Sequence, residues 1–354
     1  MRIAATALVL APTIDTATAV QQGIVTQEVA RDVGVNRLPA AQEPGPPLLA
    51  LKAAATAISS AHVDNDGIGL IAHAWIHHQG HDFWSPAHYL ADQLGAHAAL
   101  PIGVQTMCNG GETALEIALA RMAVDPACRA ALVSTSDIFD GDFDRWNSDS
   151  TLWYGDAGAA VVLTKSADDR LPEILSTATS VVLSGEGLHR GVDPFTWKPG
   201  EARDTIDVRR TKKAHLHTPG RAESFAADMV DALRSVITRS LADAGIPVES
   251  DRLRFIALPR VGRKVVGDIY APAIRKLTPK PLVYLGDDSG HLGAGDTLAN
   301  LHDMLSHGVH AIDDIGLFIC AGAGFTVSCV AVRLGDLRSS GRSVAEDERT
   351  AVSA

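Results

Sequence analysis

The sequence predicts a layered α/β protein with buried sheets. Short apolar runs bounded by turn residues alternate with longer amphipathic segments, the pattern of strands and helices that cover one another. Both halves of the chain show a similar order of elements, without obvious sequence repetition. No stretch is long enough and free enough of charge to span a membrane.

The elements follow in order. Met1 to Leu10 reads as an opening strand and not as a signal peptide, because its basic region is a single Arg and Ala11-Pro12 follows at once. Leu49–Ser60 is an Ala-rich helix, Gly67–His73 a buried strand, Ser85–Leu94 a helix and Ala130–Thr135 a second buried strand. Trp153-Tyr154-Gly155-Asp156-Ala157-Gly158 leads into a strand over Ala159–Leu163. The polar stretch Thr164–Arg170 divides the chain into halves at 1–165 and 166–336. In the second half, Ile174–Leu183 is a strand. Ala226–Ala244 is a long helix stopped by Gly245-Ile246-Pro247. Arg254–Leu258 and Leu282–Leu285 are strands, and Asp268–Leu277 and Thr297–Leu305 are helices. Ile315–Ala321 and Thr326–Leu334 close the fold around Gly322-Ala323-Gly324. Trp197–His217 is polar and basic and reads as a loop or lid, and 337–354 as a disordered tail.

Composition narrows the function. At 354 residues the chain suits two domains or two halves of one large unit. Its net charge of −11 argues against nonspecific nucleic-acid binding by the whole surface. Cys108, Cys128, Cys320 and Cys329 have no metal-type spacing and are too few for a disulfide scaffold, which suits a reducing cytoplasm. Gly322-x-Gly324 lacks the third glycine and the following helix of a dinucleotide site, and no phosphate loop is present, so no cofactor is expected. His73, His77, His78 and His81 cluster beside Trp75 and Trp84. With no carboxylate pair at helical spacing they suit a pocket wall or a dimer surface better than a metal site.

The segment Ile102–Gly111 carries the chemistry. It reads as the end of a buried strand, and Glu112–Met122 reads as a helix with Leu115, Ala118, Leu119 and Met122 on one face. Cys108 then lies at a strand-to-helix turn, where unpaired N–H groups and the helix dipole favour an anion such as a thiolate. Asn109 is a candidate helix cap, and Gly110 and Gly111 admit close approach. A buried structural Cys is the alternative.

Four segments in order resemble the β-ketoacyl-ACP synthase III branch of the thiolase superfamily. They are Gly103–Gly111 with Cys108, Tyr154-Gly155-Asp156-Ala157-Gly158-Ala159-Ala160-Val161-Val162-Leu163, Leu285–Asp296, and Cys320-Ala321-Gly322-Ala323-Gly324-Phe325-Thr326. The resemblance spans about Ile3 to Leu334. It implies a thiolase-like five-layered αβαβα fold of two similar halves, a homodimer, and acyl transfer through a thioester on Cys108. It also implies an oxyanion hole from the N–H groups of Cys108 and Ala323, and an acyl carrier protein or CoA as donor.

The sequence departs from that family at two positions. Condensing members carry a His in Pro-His-Gln-Ala-Asn and an Asn in Gly-Asn-Thr-Ser. Here the matching segments read Pro259-Arg260-Val261-Gly262-Arg263 and Gly286-Asp287-Asp288-Ser289-Gly290-His291. An anionic Asp287 cannot donate to an enolate oxygen, and Arg260 is a permanent cation and no proton shuttle. His291 offers a general base instead, with Asp287 ranked ahead of Asp296 as its orienting partner. This pattern is similar to synthase-III-like acyltransferases of natural-product pathways, which deliver the acyl group to a hydroxyl, an amine or a second carrier. Arg260 is then a candidate for binding a polar group of the substrate, and Arg263 and Lys264 for docking an acidic carrier. A decarboxylative condensing synthase and a non-catalytic partner subunit of the same fold are the alternatives.

Overall fold

A computed structural model describes residues 1–335 apart from 44, 199, 200, 202, 308 and 309. The tail expected over 337–354 lies outside the described residues.

Among the described residues twelve strands are formed: β1 (Arg2–Leu10), β2 (Thr13–Asp15), β3 (Arg37–Pro39), β4 (Ile68–Ala74), β5 (Leu100–Val104), β6 (Ala130–Asp137), β7 (Ala157–Thr164), β8 (Glu173–Val181), β9 (Leu253–Ala257), β10 (Leu282–Val283), β11 (Ile315–Gly322) and β12 (Thr326–Arg333). All but β2 and β3 join one sheet in the order β10-β9-β11-β12-β8-β1-β7-β6-β4-β5. Read outward from the middle, the order repeats: β8-β12-β11-β9-β10 mirrors β1-β7-β6-β4-β5 in chain sequence and position. In the ladder the two sets join where β1 meets β8, at the register pair Arg2↔Glu173. Within each set the first strand and its neighbour run antiparallel, while β4–β5, β4–β6, β9–β10 and β9–β11 are parallel.

The core explains the layers. Between the strand sets lie the helices Gly110–Val124 and Asp296–His307, whose Leu115, Ala118, Met122, Leu298, Leu301 and Met304 enter a cluster shared with strands of both halves. The helix Pro46–Ala61 covers the outer face of the first set, its Ala50, Ala53, Ala54, Ala57 and Ala61 forming a small, buried stripe. The helix Arg221–Asp243 covers the second set with Met229, Leu233, Val236, Ile237 and Leu241. Each helix buries one apolar stripe except those between the sheets, which are covered on two sides. The result is the thiolase-like αβαβα arrangement.

Two expectations need correction. The segment expected as a loop over Trp197–His217 contains a helix, Val208–Leu216, opened by the Asp207 carboxylate accepting from the Arg210 N–H at 2.9 Å. Only Val208 and Thr211 are buried on it, so no apolar period announced it. The helix expected to begin at Asp268 begins at Arg263 and passes through a π turn, Val266–Tyr270, ahead of Pro272. Proline lacks the N–H that a regular turn requires, and the π turn accommodates the gap.

Candidate active site

Cys108 stands in a short 3₁₀ turn, Met107–Asn109, between β5 and the helix Gly110–Val124. Met107 has φ of 52°, the left-handed region that a non-glycine residue enters at a cost of about 1–3 kcal/mol. The turn is held from below. The Cys320 thiol donates to the Cys108 carbonyl at 3.4 Å, and the Asn109 amide donates to the Ser328 hydroxyl at 3.0 Å. The Asn109 side chain therefore anchors the turn to β12 and makes no helix-capping bond. Gly322 lies directly against this turn, since a Cβ there would come within 2.4 Å of the Asn109 nitrogen. That contact brings the Ala323 loop beside Cys108.

His291 is buried on a glycine-rich loop that is stitched to the first half. Its N–H donates to the Trp153 carbonyl and its carbonyl accepts from the Gly155 N–H, both at 2.8 Å. The Tyr154 ring stands edge-on to the imidazole at 5.3 Å between centroids. Asp137, at the end of β6, accepts from the N–H groups of Ile76 and His77 at 2.8 Å and of Ala294 at 3.2 Å. Gly293 has φ of 61°, and a Cβ there would lie 2.3 Å from the Asp137 carboxylate. A glycine is required at that contact.

The His291 Nδ1 bonds Asp296 Oδ2 at 2.8 Å. The same carboxylate accepts from the Leu292 and Arg260 N–H groups, each at 2.8 Å. Nε2 is buried with no hydrogen-bond partner among the described residues other than the Cys108 thiol that its charge feels. Burial disfavours the imidazolium, but Asp296 and Cys108 outweigh it and hold the His291 pKa well above the ordinary histidine value. Burial likewise pushes Asp296 up, and His291, Arg260 and the Leu292 N–H reverse the shift, so its pKa is lowered. Cys108, His291 and Asp296 are thus drawn together in a dry site.

Asp287, ranked first from sequence as the partner of His291, is not beside it. Its carboxylate forms an exposed ion pair with Arg263, whose guanidinium also lies 4.2 Å from the centre of the Tyr284 ring. Arg260, expected to bind substrate, is buried and committed within the protein. It donates to Asn300 Oδ1 at 2.9 Å, Ser289 Oγ at 2.7 Å and Asp303 Oδ2 at 2.6 Å. Burying a guanidinium requires such partners, so it is spent on holding the His291 loop. Lys264 is exposed and pairs with Asp268 at 2.7 Å. In the histidine cluster, His73 bonds Ser134 at 3.0 Å and burial lowers its pKa to about 4, while His77 pairs with Asp142 at 3.0 Å. Among the described residues no group of three or more His, Cys, Asp or Glu side chains could hold a metal ion. His215 bonds the Ser184 carbonyl at 2.8 Å.

The sequence reading passed over Glu112 and Asp156. Glu112 is fully buried one turn beyond Cys108, next to Thr297, and burial pushes its carboxyl up to about 8. An acidic residue in the first turn of a helix normally reads as a solvated dipole partner, so no local signal marks it. Asp156 of the Tyr-Gly-Asp-Ala-Gly segment is fully buried and pairs with Arg145 at 2.8 and 3.0 Å, accepting also from the Phe139 and Ala41 N–H groups. Its part is to tie loops together beneath the site.

The family model described as 3-oxoacyl-[acyl-carrier-protein (ACP)] synthase III matches residues 102–182, which contain Cys108 and the Tyr154–Leu163 segment. Among solved structures, one described as ChlB3, an acyltransferase, superposes with a TM-score of 0.85 at 28% identity, covering 95% of this chain and 98% of that one. The 3-oxoacyl-[acyl-carrier-protein] synthase III of Aquifex aeolicus VF5 gives 0.74 at 21% identity, covering 94% and 99%. The priming β-ketosynthase of the R1128 polyketide biosynthetic pathway gives 0.74 at 19%, covering 95% and 96%. A search of curated protein sequences found no match. No helix among the described residues is long and apolar enough to cross a membrane. With the matched segment around Cys108 and a fold shared over nearly the full length, this chain has the thiolase-like fold and is similar to ketoacyl synthase III proteins.

Proposed function

We propose that this protein is an acyltransferase. It moves an acyl group from an acyl carrier protein or CoA thioester, through Cys108, to a hydroxyl, an amine or a second carrier in natural-product biosynthesis. One observation carries the reading: Asp296 bonds the Nδ1 of His291 while Nε2 is left to Cys108. A His held in that way is a proton shuttle for a thiol.

The Cys108 thiol gives its proton to His291 Nε2, and the sulfur attacks the thioester carbonyl. The carbonyl oxygen takes up the negative charge against the N–H groups of Cys108 and Ala323. Collapse expels the donor thiol, which leaves with the proton from His291. Acylation removes the sulfur charge that helps raise the His291 pKa, so the imidazole turns neutral in its buried setting. It then takes the proton of the acceptor as that atom attacks the acyl carbon. Collapse returns the proton to Cys108. The positions at which condensing members carry His and Asn hold Arg260 and Asp287 here, both tied in ion pairs, and neither supplies a neutral donor to an enolate.

Intact-protein mass spectrometry after incubation with a panel of acyl-CoA and acyl-carrier thioesters tests the reading. Wild type gains one acyl mass, Cys108→Ala gains none, and His291→Ala neither loads nor discharges at the wild-type rate. No loading by any thioester, or carbon dioxide release with a C–C product from malonyl thioesters, overturns it. Arg263 and Lys264 are proposed to meet the carrier. Reversing both charges is expected to weaken carrier-dependent loading by about tenfold and to leave loading from CoA unchanged, measured as apparent affinity at two salt concentrations.

The resemblance to homodimeric enzymes carries the further proposal of a homodimer. The open edge of the sheet at β5, with Leu100 exposed, offers a surface for a second copy. All four cysteines are free, which suits a reducing, cytoplasmic setting.

A further inference from the structure

His189 sits on the short helix Gly187–Arg190, at the start of the polar excursion that leads to Val208–Leu216. Its ring meets Phe325 edge-on at 6.4 Å between centroids, and Phe325 closes the Ala323 loop. It also lies within electrostatic reach of His291, Asp149 and Lys212. The imidazole therefore lies against the loop that carries Ala323, within electrostatic reach of His291.

The neighbouring polar groups are spoken for. The Lys212 ammonium pairs with Asp149 Oδ2 at 2.5 Å and donates to Thr151 Oγ1 at 3.0 Å. The Tyr154 hydroxyl points to the same Asp149 oxygen at 3.5 Å. His73, His77, His215 and His291 all have polar partners in the protein. His189 has none among the described residues, although it is only partly exposed. Its ring nitrogens are not sealed from the surroundings, so they remain open to a ligand.

We propose that His189 binds the acceptor, and that the acceptor group it takes is an uncharged alcohol such as a hydroxyl of a polyol or sugar. This rests on the acyltransferase reading above. Burial, chiefly, and the nearby Lys212 charge hold the His189 pKa down at about 4, so the ring is neutral at working pH. A neutral imidazole has one N–H donor and one bare nitrogen, the complement of a hydroxyl, which both donates and accepts. A carboxylate acceptor would find Lys212 already neutralised by Asp149.

Acyl-enzyme formation and discharge are measured separately by mass spectrometry. Wild type, His189→Phe and His189→Gln are first loaded from acyl-CoA, then mixed with methyl α-D-glucopyranoside or glycerol. All three proteins are expected to load Cys108 at the same rate. His189→Phe is expected to discharge to the polyols at least about tenfold more slowly at low acceptor concentration, with the deficit in KM, and His189→Gln to recover most of the rate. Loaded wild type that discharges to neither polyol, or a His189→Phe enzyme that discharges like wild type, overturns the proposal. Failure of wild type to load overturns instead the reading on which it rests.

Discussion

Asp296→Asn is expected to slow acyl transfer by about 10³- to 10⁴-fold while leaving the fold intact. The carboxylate accepts from His291 Nδ1, Arg260 N and Leu292 N, all at 2.8 Å and all buried. It fixes the tautomer with the proton on Nδ1 and stabilises the imidazolium formed when Nε2 takes a proton. An amide presents one oxygen and one N–H₂, so it cannot serve the three donors. Turning its N–H₂ toward the imidazole makes Nδ1 an acceptor and moves the ring proton to the Cys108 side, where a base is needed. Single-turnover loading and discharge measure the loss, and circular dichroism controls for folding. Asp287→Asn is the paired control. That carboxylate meets Arg263 at the surface, so its replacement is expected to leave the rate close to wild type. The reverse ranking of the two variants would return Asp287 to the role that sequence first suggested.

Glu112→Gln is expected to change how stability depends on pH. The buried carboxyl keeps its proton up to about pH 8, whereas in the unfolded chain it releases it near its ordinary value of 4.5. A group whose folded pKa is raised carries no penalty below the unfolded value. Folding then costs progressively more as pH climbs from 4.5 towards 8, because the fold must retain a proton that the unfolded chain has lost. Between pH 4.5 and pH 7 this amounts to roughly 3 kcal/mol. Glutamine keeps the shape and does not titrate, so the stability gap between variant and wild type widens by that amount across the window, whatever constant offset its amide introduces. In a chain of this size the difference corresponds to about 4 °C in thermal midpoint. A gap that stays constant from pH 4.5 to 8 would show that Glu112 is solvated or ionised in the fold.

How far the candidate site can be read without coordinates depends on how local each interaction is. The Cys108 turn is legible because strand, turn and helix follow one another within a few residues, and the apolar spacing of Leu115, Ala118 and Met122 announces the helix. The left-handed Met107 within it is not, since nothing about methionine signals a positive φ. His291 is legible through resemblance, yet its partner is not. Asp287 and Asp296 flank it by similar distances along the chain. The choice between them is made by Gly290 and Gly293, with φ of 60° and 61°, which fold the loop so that the carboxylate five residues on faces the ring.

Amino-acid order by itself determined the alternation of elements, the helix that aims Cys108, and the residue types able to shuttle a proton. These properties come from hydrophobic period and side-chain chemistry, which act over one or two turns. The tertiary structure alone decided which charges are spent and which are available. Arg260 looked like a substrate ligand until the helix Asp296–His307 brought Asn300 and Asp303 to it, and nothing marked Glu112 as buried until the two strand sets closed over its helix. Burial and long-range pairing set the cost of a charge, and both arise only when segments distant in sequence pack together.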